Sequence, residues 1–366
     1  MPDKTLLDPG QATRNFVLFT EGDLLYGDML EHIAMAQTEI LLESYIFADD
    51  EIGRRFAELL SRRAQEGIRV RVHLDAAGSL FWSSRKLTDS MISNGVRVRW
   101  FHRWDWRQPW RYNRRNHRKL LVIDGNVAWT GGFNIHRENS LSVYGPRRWR
   151  DTHVRFGGTL AVQAKQLFGD FWQHRKRTPL PHPSADNTLL ISNYTHGSRR
   201  YMNRLFRHVL AGARHSIHVT TPYFVPDNRT QKLLARAARQ GIEVQLLVPG
   251  KTDVALARWA ARAVYAPLLD AGVKIHEYLP RLLHAKSVVV DGHSAVIGTS
   301  NIDYRSFFLN YELNLFTQDA ELCRQLETQF ADDLEQSENI TPVSWKRRFW
   351  GARLLELIGW LARRWL

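Results

Sequence analysis

The sequence predicts an α/β protein of two similar halves related by a pseudo-twofold, and three observations carry that expectation. The order β-α-β-α-β occurs twice, a polar signature recurs at identical spacing in both halves, and a proline-rich stretch separates them. The repeat opens with Glu39–Asp49 (EILLESYIFAD) and Ser216–Asp227 (SIHVTTPYFVPD), each a buried strand entering a polar turn. Amphipathic helical runs follow, Glu51–Gly67 and Arg229–Gly241, each ending in glycine. Next come the short strands Ile68–Leu74 (IRVRVHL) and Ile242–Val248 (IEVQLLV), second helices closing at Gly95 and Gly272, and strands beginning at Val96 and Val273. Strands and helices alternating at these lengths predict largely parallel sheets with helices on their faces. Pro179, Pro181 and Pro183, within Arg177–Asn187, forbid helix and favour an extended connection. The expected organisation is a first domain at 1–178, a linker at 179–187, a second domain at 188–342 and a basic amphipathic helix at 343–366.

Composition narrows the partners. With 51 Lys and Arg against 37 Asp and Glu in 366 residues, the formal charge is +14 at pH 7, which predicts a polyanionic partner: nucleic acid or an anionic membrane. A 44% hydrophobic content is enough for real cores and, with 24% charged residues, excludes an acidic tail protein, a collagen or a low-complexity scaffold. The single cysteine, Cys323, can form neither an internal disulfide nor a thiolate metal cluster. Asp3 and Asp8 interrupt the region where a signal peptide needs apolar residues, and no uncharged stretch approaches the roughly 18 residues of a membrane span, so an intracellular protein without a span is expected. In Trp345–Leu366 the apolar positions 345, 349, 350, 354, 357, 358, 361 and 365 share one helical face. Lys346, Arg347, Arg353, Arg363 and Arg364 lie opposite, the pattern of a helix in a membrane interface.

Each half culminates in the signature H-x-K-x4-D-x6-G-[GT]-x-N, at His117, Lys119, Asp124 and Asn134 and again at His284, Lys286, Asp291 and Asn301. Alternation along a strand puts His and Lys on one face. Asp124-Gly125 and Asp291-Gly292 are tight-turn pairs, so a hairpin returns each Asn beside its His and Lys. Two imidazoles and two ammoniums meeting at a pseudo-twofold interface make a phosphodiester site that needs no metal and no cofactor. Lys119, Lys286, Asn134 and Asn301 can donate to the non-bridging phosphate oxygens. One imidazole must be neutral to attack phosphorus while the other is protonated to release the alkoxide. No nucleotide-binding or zinc-protease motif occurs.

On these residues the chain, from about 20 to 340, resembles the phospholipase D superfamily, whose members carry two such HKD motifs. Within it, Gly131-Gly132-Phe133-Asn134-Ile135 and Trp149-Arg150-Asp151-Thr152-His153-Val154 are similar to bacterial cardiolipin synthases lacking N-terminal membrane spans. The resemblance implies two phospholipase D-like α/β domains with the active site at their interface. It implies His117 as nucleophile, forming a phosphohistidine, and His284 as acid and base, with Lys119, Lys286, Asp124 and Asp291 completing the catalytic motifs. It further implies Asp151 and Glu312 as the carboxylates that orient the imidazoles, which leaves Asp124 and Asp291 as holders of the turn and nearby backbone.

Three activities share this chemistry: phosphatidyl transfer, phospholipid hydrolysis and nucleic-acid cleavage. The periphery discriminates. The offset between halves is 177 at Gly95 and Gly272 but 167 at His117 and His284, so the first half carries ten extra residues just before its motif. They fall in His102–Arg115, with five arginines, four aromatics and one acid, a composition suited to phosphate headgroups at a membrane. The expected function is cardiolipin synthesis at the cytoplasmic face of the membrane. Phosphatidylglycerol is the expected acceptor, and phosphatidylglycerol or phosphatidylethanolamine the donor. Hydrolysis is the alternative, and no nucleic-acid partner is expected.

Overall fold

The computed structural model describes residues 16–103, 105–108, 112–176, 187–252 and 254–362. The proline-rich linker, apart from Asn187, lies outside the described residues, as do the N-terminal segment, Trp104, Trp110 and Arg111 of the insertion, and Arg363, Arg364 and Trp365.

Strands β1 (Phe16–Phe19), β2 (Glu39–Ser44), β3 (Arg69–Asp75), β4 (Arg97–Phe101), β5 (Leu120–Ile123), β6 (Val127–Gly131) and β7 (His153–Gly157) form one sheet, ordered β1-β7-β6-β5-β2-β3-β4. The second half supplies β8 (Leu189–Ser192), β9 (Ser216–Thr220), β10 (Glu243–Pro249), β11 (Lys274–Tyr278), β12 (Ser287–Val290), β13 (Ser294–Gly298), β14 (Leu313–Thr317) and β15 (Ser337–Ile340), ordered β15-β11-β10-β9-β12-β13-β14-β8. The run β7-β6-β5-β2-β3-β4 therefore matches β14-β13-β12-β9-β10-β11. Only β2, β3 and β4, and likewise β9, β10 and β11, are parallel. This corrects the largely parallel sheet that the repeat suggested. The motif strand enters antiparallel to β2 (or β9) and then folds back through a short turn, and strands joined by short turns must run antiparallel.

Helices α1 (Gly22–Met35), α2 (Glu51–Gln65) and α3 (Arg85–Ser93) cover one face of the first sheet. Asp50 starts α2 by accepting from the backbone N–H of Ile52 and Gly53, and Ile52, Phe56 and Leu60 recur on its buried face. Helices α4 (Gly158–Trp172), α5 (His196–Ala211), α6 (Asn228–Arg239), α7 (Ala255–Ala263), α8 (Tyr265–Leu269), α9 (Tyr304–Phe308) and α10 (Ala320–Glu335) follow. A third core, lined by α4 and α10, joins the two sheets: Leu41, Leu120 and Val122 pack in one cluster with Val289, Ile297 and Leu313. At roughly 1.5–3 kcal/mol per fully buried side chain, that shared core fixes one half against the other.

The C-terminal segment differs from the single helix expected at 343–366. It breaks into α11 (Pro342–Lys346) and α12 (Trp350–Ala362). Trp345, expected on the membrane face, is instead buried, its ring 5.1 Å from that of Tyr265 and flanked by the guanidinium groups of Arg262 and Arg348. The Tyr265 ring and the two guanidinium groups supply the contacts that hold the indole in the core.

Candidate active site

The residues just before β5 and β12 carry the two His-x-Lys pairs, and each is held by the other half. His117 donates its N–H to the carbonyl of Tyr311 at 3.0 Å, and Tyr311 donates to the carbonyl of Arg115 at 2.9 Å. Reciprocally, Arg150 donates to Leu282 at 2.8 Å and His284 to Arg150 at 2.7 Å. These crossed bridges bring each acid to the histidine of the opposite repeat. Nδ1 of His117 lies 3.1 and 3.0 Å from the two carboxylate oxygens of Glu312, while Nδ1 of His284 lies 2.5 Å from Oδ2 of Asp151. A carboxylate only accepts, so each contact puts the proton on Nδ1 and leaves Nε2 for chemistry.

Each acid is fixed in turn. Glu312 accepts from the hydroxyls of Thr299 (2.5 Å) and Ser306 (2.9 Å), and its backbone N–H donates to Asn193. Asp151 accepts from the N–H of Thr152 at 2.8 Å and packs on Gly132, where a Cβ would stand 1.9 Å from Oδ1. Burial alone would raise both carboxyls, but the charge and hydrogen bonds of their partners overcome it. Lys286 and His284 hold Asp151 below the usual range, and His117 does the same for Glu312.

Burial lowers the basicity of both imidazoles. For His117 the carboxylate of Glu312 opposes the shift; for His284 the charge of Lys286, its Nζ 2.9 Å from Nδ1, reinforces it and brings the value to about 4. Lys119 donates to the His117 carbonyl at 2.9 Å and is brought down to about 7 by burial and by the like charge of Lys286. Asn134 accepts at Oδ1 from Ile46 N–H at 3.1 Å, which leaves its amide nitrogen for a ligand.

His117, His284, Asn134 and Asn301 line one cavity of about 280 Å³. Its walls also include residues to which the sequence assigned no role, Trp149 among them although it opens the segment that carries the resemblance. The ring of Tyr45 meets His117 edge-on at 4.9 Å, Trp149 lies 5.2 Å from His284, and Asp303, capping α9 through Ser306 N–H, is pushed up to about 6 by burial. The position of Asp303, two residues after the motif asparagine, was the available signal. Among the described residues no group of three or more His, Cys, Asp or Glu side chains could hold a metal ion.

Asp124 and Asp291 are not brought to this cavity: they hold the turn and nearby backbone, as expected, and their place among the catalytic motif residues is corrected to that structural one. Both have positive φ, 52° and 54°, in the Asp-Gly turns at the far ends of the motif strands. Asp124 accepts from Gln37, Thr38 and Glu39, and Asp291 from Arg214, His215 and Ser216, so each clamps the start of the neighbouring strand. The insertion also differs in part from the expected headgroup loop. Arg115 is buried and paired with Asp75 at 2.8 Å, whereas Arg103 and Arg107 are exposed.

The family described as cardiolipin synthase, PLD-like domain, matches residues 29–144 and 206–334. A probable cardiolipin synthase of Bacillus subtilis is 32% identical, over 91% of this chain and 69% of its own length. Cardiolipin synthase 2 of Bacillus cereus is 36% identical, over 92% of this chain and 68% of its own. The crystal structure of a phosphatidylserine synthase from Haemophilus influenzae has the same fold, with a TM-score of 0.74 at 13% identity, covering 97% of this chain and 96% of that one.

Proposed function

The chain belongs to the cardiolipin synthases built on phospholipase D-like domains, and from that premise we propose that it joins a phosphatidyl group to phosphatidylglycerol through a covalent intermediate on His117. The observation that carries this reading is the crossed pairing of His117 with Glu312 and His284 with Asp151 around a single cavity.

Nε2 of His117 attacks phosphorus while the donor's headgroup oxygen leaves, taking a proton from Nε2 of His284. Lys119, Lys286, Asn134 and Asn301 stabilise the charge on the non-bridging oxygens. The primary hydroxyl of phosphatidylglycerol then gives its proton to His284 and attacks phosphorus, the P–N bond breaks, and His117 is regenerated. His284 is neutral near pH 7 without substrate, because burial and Lys286 lower its pKa to about 4. An anionic phosphodiester offsets the charge of Lys286 and restores the imidazolium that the first step uses.

The donor is phosphatidylglycerol or phosphatidylethanolamine, and the enzyme works from the cytoplasmic face of the membrane. Among the described residues no helix is long and apolar enough to cross it. Purified protein mixed with labelled phosphatidylglycerol vesicles in EDTA should yield cardiolipin and glycerol. Phosphatidic acid as the main product would make the protein a hydrolase, and loss of turnover in EDTA with recovery in Mg²⁺ would overturn the metal-free mechanism.

A further inference from the structure

A helix docked on a globular domain ordinarily buries its apolar stripe and exposes its polar one. Helix α12 instead leaves its aliphatic face exposed. The face it lays along α7 carries Glu356 and Gly359, both buried. A Cβ at Gly359 would stand 2.4 Å from the backbone nitrogen of Ala260, so a small residue is what lets the helices approach. Glu356 is held there by a two-pronged pair with Arg348 at 3.0 and 2.9 Å. The opposite face presents Leu354, Leu357, Ile358 and Leu361 to solvent, between 44% and 62% exposed. Four aliphatic side chains on one exposed face, with the buried face already satisfied, require a covering that the described chain does not supply.

A second apolar projection stands in the first half. In the turn after β3, Phe81 is 92% exposed and Leu80 57%. This turn bears on the cavity: Gly78 packs against Tyr45, and Ser79 donates to the Tyr45 carbonyl at 3.0 Å. Helix α7, which carries α12, begins at the other wall, where Val254 and Ala257 line the cavity. Exposed cations flank both projections, Arg85 and Lys86 beside Phe81, and Lys346, Arg347 and Arg353 beside α12.

We propose that the exposed face of α12 and the Leu80–Phe81 turn together form the footprint by which this protein sits on an anionic phospholipid bilayer, one contact bearing on each wall of the catalytic cavity. Apolar side chains ringed by cations match a bilayer's acyl boundary beneath anionic headgroups, whereas the interface of a second protein copy would be depleted in lysine. The footprint rests on the phospholipid substrate proposed above. It adds the orientation in which a headgroup phosphate can enter the cavity while its acyl chains stay in the membrane. Truncation is a poor probe, because Trp345 belongs to the core.

The test uses the full chain and its Leu357→Glu/Leu361→Glu and Phe81→Ser variants. Three readouts are co-sedimentation with vesicles of phosphatidylglycerol and phosphatidylcholine, turnover of a water-soluble phosphodiester, and oligomeric state by light scattering. Each variant should bind vesicles at least tenfold more weakly, and the combined variant about a hundredfold, with soluble turnover unchanged and KM for vesicle substrate raised in step. Unchanged vesicle binding with normal soluble turnover would overturn the footprint while leaving the catalytic reading intact. A wild-type dimer that the α12 variant splits would assign this face to a second copy and overturn the proposal. If the wild type turned over neither soluble nor vesicle phosphodiester, the catalytic reading would fall instead.

Discussion

The two halves share one strand order yet solve the same problem, holding a carboxylate against an imidazole, with different atoms. Opposite His284 the acid is the short Asp151, which reaches the ring only because Gly132 leaves room. Opposite His117 it is the longer Glu312, which leaves space for Thr299 at the position equivalent to Gly132, and the threonine hydroxyl becomes a hydrogen-bond donor. Residues after the motif asparagines diverge too, His136 in the first half against Asp303 in the second. A duplicated fold thus places two chemically similar groups in unlike environments. That difference is what the proposed division into an acid and a nucleophile requires.

The largest test of the comparison removes each histidine. His117→Ala and His284→Ala should each lower turnover by at least roughly 10⁴-fold, as for members of a catalytic unit. With a donor whose leaving group needs no proton, His284→Ala should still form a covalent phosphatidyl-enzyme, detectable by mass spectrometry, and His117→Ala should form none. Label trapped on His284 in the His117 variant would exchange the roles of the two halves.

Next in size is the response to acid. Burial lowers His136 and His153 to about 3 and His284 to about 4. The unfolded chain therefore binds more protons than the folded one from about pH 6.5 down to these values, and stability falls as pH drops through that window, by about 1.4 kcal/mol per unit for each group. Asp303 has the opposite sign. Its folded value of about 6 is raised, so the folded state binds the extra proton between the ordinary carboxylate range and 6, and stability rises as pH falls there. Thermal melts from pH 7 to 5 should show a net loss of a few kcal/mol. Asp303→Asn, which keeps the cap on α9, should steepen the slope, and an unchanged slope would remove Asp303 from the account.

A smaller effect separates Gly132 from Thr299. Gly132→Ala drives a methyl into Asp151 and should cost roughly 10²-fold in kcat by misorienting His284. Thr299→Ala removes one of several donors to Glu312 and should cost about tenfold. Equal losses would show that the two carboxylates are held alike after all.

Much of this was legible in the sequence. The matched spacing of His117 to Asn134 and His284 to Asn301 gave the hairpins, and the repeated Gly ends gave the helix boundaries. Asp151 and Glu312 were legible as acids by resemblance, but their crossing was not. The contacts span 195 and 133 residues, and a one-dimensional repeat carries no signal for which copy faces which. Tyr45 escaped, and Trp149 was legible only as part of the resemblance and not as a wall of the cavity, for the same reason: their partners are rings brought up by tertiary packing. Trp345 was misjudged because helical periodicity reports a shared face and not what covers it.

The smallest effect concerns the two residues that complete the motif without entering the site. Asp124 accepts from three backbone N–H groups and from the Thr38 hydroxyl, whereas Asp291 accepts from three backbone N–H groups. These hydrogen bonds hold each carboxyl below its ordinary range despite the opposing effect of burial. Asn in place of either keeps one acceptor oxygen and the left-handed backbone that the turn needs, but loses the charge that strengthens the bonds. Each substitution should therefore cost about 1–2 kcal/mol of stability, slightly more at Asp124. Soluble-phosphodiester turnover below the melting transition should change less than threefold, because neither side chain reaches the cavity. A fall in kcat approaching that of the histidine variants, with an intact melt, would place these carboxylates back in the chemistry.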